Sequence, residues 1–428
     1  MSTFELSASL TLMPPVERLD RDASARLLVE AGQLSGMLAP PIRAAVGDMV
    51  RSMNCYYSNL IEGHDTLPRD IERAMKNDYS ADPKKRDLQL EARSHIEVQA
   101  MIDHGEMDHL GLGEDLVRGI HREFCIRLPE ELLFVEHPTT KEKLKIVPGE
   151  YREHDVVVGR HEPVSPAAVP SFMAHFTEGY APSRIRFENA VFAAAAAHHR
   201  LVWIHPFLDG NGRVARLYSH AYLRRARVGC DIWSVARGLA RTVTRYRDAL
   251  ARADWSPQGM SDGRGTLSNS GLVQFCDYVV ATCLDQVRFM SSLLEPATLM
   301  ARMRTFVTVE AAQGTLDARV LPVLTHALTI GDVPKAAASA MMGIQERQAR
   351  RLLDPLIDRG FLSDGGSKFA PWRLAFPISE SEILFPRLFA PVGVPDVTPA
   401  APADDEWGSE VEEHDDDHPH DGGGTPSP

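Results

Sequence analysis

Residues 204–216 constrain this chain more than any other stretch: Ile204-His205-Pro206-Phe207-Leu208-Asp209-Gly210-Asn211-Gly212-Arg213-Val214-Ala215-Arg216. The stretch joins two helical runs, 186–202 and 214–228, so it forms the corner of a helix pair. Gly210-Asn211-Gly212, just before the second run, is a nest of free N–H groups at a helix N-terminus. Such a nest binds anions through unpaired donors and the positive end of the dipole. Its glycines let the backbone approach phosphate oxygens closely. Arg213 and Arg216 are three residues apart and share a helix face. Two guanidinium forks above an anion hole suit a polyphosphate. Asp209 is a hard oxygen ligand of the kind that holds Mg²⁺ on phosphates. His205 is a titratable base suited to deprotonating a hydroxyl. Pro206 and Phe207 are structural, with Phe207 anchoring the loop into the core. Each of these residues alone would be an ordinary turn or core residue. Eight positions at set spacing in one chain are not a coincidence of composition.

The rest of the composition sets the frame. A length of 428 residues gives two to three domains as a prior. Apolar residues make up 44% and charged residues 25%, which excludes collagenous, fully disordered and disulfide-stapled classes. The apolar run around 190–197 is far shorter than the ~20 residues of a bilayer span. The N-terminus lacks the basic region of a signal peptide. Cys55, Cys125, Cys230, Cys276 and Cys283 are odd in number and without a CxxC pair. That pattern fits reduced thiols in a cytoplasmic protein. The net charge of −13 is mostly a tail property. From Leu388 onward there is no Lys or Arg but eleven acids, and the remainder carries only −2. General polyanion binding by the whole protein is therefore not indicated.

Five segments follow from pattern: an N-terminal helical region at 1–108, a central domain at 109–255, a helical connector at 256–314, a fourth block at 315–378 and an acidic tail at 379–428. Pro40-Pro41 opens a helix with apolar residues three or four apart, ended by Gly63 as a left-handed cap. Thr66 is expected to cap the next helix, with Pro68 in its first turn. In the central domain, Asp155-Val156-Val157-Val158-Gly159 reads as a short strand or hairpin. Residues 269–314 read as one long helix or a pair. The fourth block reads as helices at 333–342 and 345–359 separated at Gly343, then two short strands, the order of a winged helix-turn-helix. Pro355 is expected to kink or shorten the second helix. The tail from Pro391 is too poor in apolar residues to order itself.

The stretch 205–216 resembles the signature of Fic domains, HxFx(D/E)GNGRxxR, at every fixed position. The likeness extends back through His198 and through Pro148–Gly159, which resembles the family's β-hairpin flap, with His161–Met173 as its following helix. It extends forward to Tyr246-Arg247-Asp248-Ala249-Leu250, and covers most of residues 10–376. The resemblance implies a mainly α fold: a helical core with a β-hairpin flap, a C-terminal winged helix-turn-helix and a disordered acidic tail. It implies transfer of AMP from ATP to a Ser, Thr or Tyr hydroxyl of a target protein, with self-modification also open. His205 would be the base and Asp209 would hold Mg²⁺. The Gly210-Asn211-Gly212 amides, Arg213 and Arg216 would bind the phosphates. Val156, Val157 and Val158 would clamp the target by strand addition. The Gly-Asn-Gly-Arg form disfavours the phosphate-transferring Doc branch.

Ser58-Asn59-Leu60-Ile61-Glu62-Gly63 is similar to the family's inhibitory pattern, (S/T)xxxE(G/N). Glu62 would pair with Arg216 and displace the γ-phosphate, with Ser58 orienting the pair and Gly63 ending the helix. In some relatives the same glutamate supports removal of AMP. Two other readings stay open: a DNA-binding regulator or toxin–antitoxin component whose core senses nucleotide, and transfer of another nucleotide or phosphocholine. Residues 345–359 hold Arg347, Arg350, Arg351 and Arg359 against three acids, a weak basic signal for DNA. A homodimer that holds the brake is compatible with the resemblance, and no membrane association is expected.

Overall fold

The alanine-rich run preceding His205 is buried on every side: Val191, Phe192 and Ala193–Ala197 all lie in the core. Small side chains let neighbouring helices approach closely, and the chain wraps this segment. The computed structural model describes residues 7–137, 140–159, 161–364, 367 and 369–390, and these are mainly helical. The expected disordered tail from 391 lies outside the described residues. Among the described residues no helix is long and apolar enough to cross a membrane.

The N-terminal block holds helices α1 (Arg21–Met37), α2 (Pro40–Glu62), α3 (Pro68–Met75) and α4 (Pro83–Asp103). Pro40 sits in the first turn of α2, where a missing N–H costs nothing. Gly63 ends α2 at φ 83°, and the Gly63 and His64 amides donate back to the Leu60 and Asn59 carbonyls. Thr66 does not cap α3. Leu67 takes that position without a side-chain bond. Thr66 is buried instead, and its hydroxyl accepts a hydrogen bond from Asn59 Nδ2 at 3.2 Å. The cap position is exchanged for closure of the turn after Gly63.

The central block runs α5 (Glu114–Cys125), strands β1 (Phe134–Glu136) and β2 (Lys143–Lys145), and α6 (Val169–Gly179). It continues through α7 (Ala190–Ile204), α8 (Asn211–Arg225), α9 (Val235–Arg241) and α10 (Val243–Ala253). The paired hairpin is β1–β2, with Val135 opposite Leu144. It is not at 155–159. There the described ladder contact is a single antiparallel bridge between Val158 and His161. Arg152 ties the start of this segment to the 205–206 corner. The second motif helix begins at Asn211 rather than 214. Asn211, Gly212 and Arg213 therefore form its first turn, whose N–H groups have no intrahelical acceptor.

The connector is a helix pair, α11 (Asn269–Leu294) and α12 (Pro296–Gln313). The break is local: the Glu295 carboxylate accepts from the Ala297 and Thr298 amides, and Pro296 starts the new helix. Beyond it lie α13 (Leu321–Ile330), β3 (Asp332–Val333), α14 (Ala338–Met342), α15 (Glu346–Asp358), β4 (Leu362–Ser363) and β5 (Trp372–Leu374). The sheet is antiparallel in the order β3-β5-β4. Val333 pairs with Trp372 as a strand, so the expected helix at 333–342 is confined to its last turn. Pro355 does not end α15, which runs three residues past it. The chain then returns to the N-terminal block. The Tyr57 hydroxyl, on α2, donates to the carbonyls of Ala390 and Leu388 at 3.0 and 3.1 Å.

Candidate functional site

The corner between α7 and α8 is held in a strained shape by its own side chains. His205 caps α7 at φ 53°, a left-handed conformation that costs a non-glycine residue about 1 kcal/mol or more. Phe207 is fully buried and stacks on the His121 ring of α5, with centroids 3.9 Å apart and planes 4° from parallel. Asn211 closes the loop. Its Oδ1 accepts from the Phe207 amide at 2.9 Å, and its Nδ2 donates to the Phe207 carbonyl at 2.8 Å. The Asn211 side chain is thus occupied within the loop, and what it offers an anion is its backbone N–H. Gly210 stands at φ 78°, which only glycine adopts without strain.

His205 is arranged as a base. Its Nδ1 lies 3.2 Å from the Val202 carbonyl, so Nδ1 carries the proton and Nε2 keeps the lone pair. Burial pushes its pKa down to about 4, assisted by the nearby charges of His161 and Arg152. The ring is therefore neutral at pH 7. His205, Asp209, the first turn of α8, Glu62, the β1–β2 hairpin and Val156–Val158 surround one cleft of about 420 Å³.

Arg213 and Arg216, on α8, are both engaged by acceptors from the N-terminal block. Arg216 is buried; its Nε donates to Ser58 Oγ at 2.8 Å and its Nη2 to Glu62 Oε1 at 2.5 Å. A Cβ placed on Gly212 would collide with Glu62 Oε1, so the carboxylate sits directly on the first turn of α8. Burial raises the Glu62 pKa, but Arg216, Arg213 and His64 outweigh this and leave it below the ordinary value. Arg213 has a second partner that the sequence does not announce. Its Nη1 donates to Glu91 Oε2 of α4 at 2.7 Å, and its Nη2 lies 3.4 Å from Asp209 Oδ2. His64 Nδ1 lies 3.3 Å from the same Glu91 oxygen, and that contact raises the His64 pKa.

The comparisons with known proteins bear on this constellation. Residues 112–223 match the Fic/DOC family. This chain carries a Fic domain. A protein adenylyltransferase Fic of Nematostella vectensis is 28% identical over 226 residues, covering 50% of this chain and 47% of that protein. A protein adenylyltransferase Fic of Drosophila erecta is 32% identical over 141 residues, 32% of this chain and 28% of that protein. The chain thus spans about half or less of the length of these relatives. Among solved structures, a Fic family protein from Desulfovibrio desulfuricans G20 has 17% identity and a TM-score of 0.46, covering 82% of this chain and 96% of that one. A Fic domain containing signaling protein from Bacteroides thetaiotaomicron has 20% identity and a TM-score of 0.48, covering 63% and 95%.

Three residues of the Fic domain's surroundings escape sequence reasoning. Glu91 is 122 positions from Arg213 and meets it only through packing of α4 on α8. His121 accepts the Gly149 amide on Nδ1 at 2.9 Å, so its proton is on Nε2, facing the Cys125 thiol and the Asp209 backbone. Arg152 donates to the His205 carbonyl. Arg152 lies within the segment Pro148–Gly159, while His121 meets that segment only in the fold, at the Gly149 amide. Asp209 fits the role of a cation ligand. Its side chain is 52% exposed on the cleft, and its described partner, Arg213, is at the long limit of a hydrogen bond.

Proposed function

We propose that this chain is an auto-inhibited protein adenylyltransferase that moves AMP from ATP to a Ser, Thr or Tyr hydroxyl of a target protein. The observation that carries the reading is that a neutral His205, with its Nε2 lone pair free, shares one cleft with the anion-binding turn of α8. In this reading Nε2 takes the proton of the target hydroxyl. The freed oxygen attacks the α-phosphorus, a bond forms there, and the bond to the bridging oxygen of the β-phosphate breaks. Pyrophosphate leaves with that electron pair. The Gly210–Gly212 amides face the charge that develops, and Arg213 and Arg216 hold the outer phosphates. Asp209 would hold Mg²⁺, which supplies charge neutralisation when bound with the nucleotide. Val156 and Val157 flank the cleft and offer backbone groups to an extended target segment.

Glu62 is the brake. It takes both the arginine and the space above Gly212 that an outer phosphate needs. Its lowered pKa keeps it ionised at neutral pH, so the contact holds above the ordinary carboxylate range and is lost only as the pH falls through that lowered value. The same carboxylate could orient water for removal of AMP.

The test is label transfer from ATP to protein by wild type, Glu62→Gly, and Glu62→Gly with His205→Ala, in parallel with α- and γ-labelled nucleotide. The reading requires α-label on protein in Glu62→Gly, little in wild type and none without His205. Transfer of γ-label would make the chain a phosphotransferase. Silence with ATP but transfer from another nucleotide or from a phosphocholine donor would change the donor.

A second reading concerns residues 345–359 in a winged helix-turn-helix. Arg347, Arg350 and Arg351 are exposed on α15, and no ion pair engages them among the described residues. Three cations at i, i+3 and i+4 suit duplex DNA. Fluorescence anisotropy with a labelled duplex tests it: binding that survives the triple Ala variant counts against this helix.

A further inference from the structure

Arg152 is a buried cation without a carboxylate. It is 4% exposed, and no ion pair engages it among the described residues. Asp155 acts on it only at longer range, and burial pushes the guanidinium pKa down. A charge in that position is costly unless each donor finds an acceptor. Each of the three guanidinium nitrogens of Arg152 donates to a backbone carbonyl. Its Nε donates to the His205 carbonyl at 2.9 Å, its Nη1 to the His154 carbonyl at 3.0 Å, and its Nη2 to the Val164 carbonyl. Its own amide donates to the Pro206 carbonyl at 2.9 Å. Two of these bonds hold the left-handed corner at His205–Pro206, and the other two hold His154 and Val164, on either side of Val156–Val158.

We propose that Arg152 is a positioning residue for the transfer step: its guanidinium fixes the corner that aims His205 and sets the spacing between that base and the target-binding segment. The proposal rests on the reading of His205 as the base. The geometry gives it a specific content. Arg152 touches neither the first turn of α8 nor Arg213 or Arg216, so it acts on the nucleophile's side of the reaction and not on nucleotide capture. A lysine cannot replace it, because one ammonium does not match a planar fork directed at three carbonyls. A misplacement of about 1 Å in such a site costs on the order of a hundredfold in rate. Arg152 also lines a groove of about 600 Å³ on the far side of Leu208, so a small cation added to solution can reach its place.

The experiment uses the full chain with Glu62→Gly as parent, and adds Arg152→Lys, Arg152→Gln or Arg152→Gly. We expect kcat for AMP transfer to fall about a hundredfold in each variant, with nucleotide affinity within threefold of the parent. Guanidinium at tens of millimolar should restore part of kcat in Arg152→Gly and leave Arg152→Lys unchanged. A second readout does not need turnover: NMR titration of the His205 ring in ¹³C-histidine-labelled protein. The groups acting on that ring are Arg152, His161 and Asp209, with the Val202 carbonyl on Nδ1. Removing the Arg152 charge should move the His205 midpoint upward. The proposal is overturned if Arg152→Gln keeps kcat within threefold, if nucleotide binding is lost in step with kcat, or if the His205 titration does not move. If the parent transfers no AMP, the functional reading fails, and the titration alone decides whether Arg152 controls His205.

Discussion

Replacing Glu91 by Gln should destabilise the protein, and an added anion should compensate. Arg213 is nearly buried, and Glu91 is its short-range counter-charge at 2.7 Å. Breaking a buried pair by removing one partner costs about 3–5 kcal/mol. Two features reduce the figure. Asp209 remains 3.4 Å from the other guanidinium nitrogen, and Gln still presents an oxygen acceptor. A loss of about 2–3 kcal/mol is therefore expected. With an unfolding entropy of ~2.1 cal/mol/K per residue, the compact unit Met1–Val394 has about 0.8 kcal/mol/K. Tm should fall by about 2–4 °C. The freed arginine lies at the anion-binding turn, so millimolar pyrophosphate should raise Tm more in Glu91→Gln than in wild type. Differential scanning fluorimetry at matched ionic strength measures both. Adding Arg213→Gln to the variant should abolish the extra pyrophosphate shift. A Tm within 1 °C of wild type, with equal pyrophosphate shifts in both proteins, would refute the claim that Glu91 is the resident counter-ion of Arg213.

Other expectations concern the loop and the brake. In Glu62→Gly protein, the acid limb of kcat/KM should lie near the His205 value of about 4, because protonation of the ring removes the base; a limb near the free histidine value would contradict the burial argument. Phe207→Ala removes a fully buried ring stacked on His121 and should cost about 3–5 kcal/mol in chemical denaturation. Gly63→Ala meets no atom within 4 Å, so its cost is the left-handed strain alone, about 1 kcal/mol. In the same variant, a raised basal transfer rate would show that the helix end also sets the Glu62 position. Raising the pH through the elevated pKa of His64 should weaken its contact with Glu91, a contribution fully present below pH 6.5; a His64→Ala variant should lose that pH dependence in thermal scans.

What was legible in the sequence was local. The 205–216 corner could be read because its chemistry is packed into twelve consecutive residues. Glu62 was legible only because a short pattern accompanies it at the end of a helix that Pro40 opens and Gly63 closes. Contacts set by tertiary packing left no trace. Glu91 reaches Arg213 because α4 lies beside α8, and nothing at residues 83–103 signals it. The β-branched run 156–158 has the composition of a strand, yet its neighbour Arg152 is already committed to the 205–206 corner. The paired hairpin instead uses Phe134–Glu136 and Lys143–Lys145, where Val135 and Leu144 face each other. Thr66 was read as a cap by proximity to Pro68, but Asn59 competes for its hydroxyl from inside the fold.

The left-handed turn at His205 bears on how an inactive control should be built. Alanine at this position removes the imidazole, but it also places a residue with no local hydrogen bond of its own at φ 53°. Asparagine visits that region more readily than most side chains, and lacks a group that titrates as a base. His205→Asn and His205→Ala should therefore be equally silent in transfer, while the alanine protein melts earlier. Any difference between the two in target binding or partner capture would then report the shape of the corner rather than the lost base.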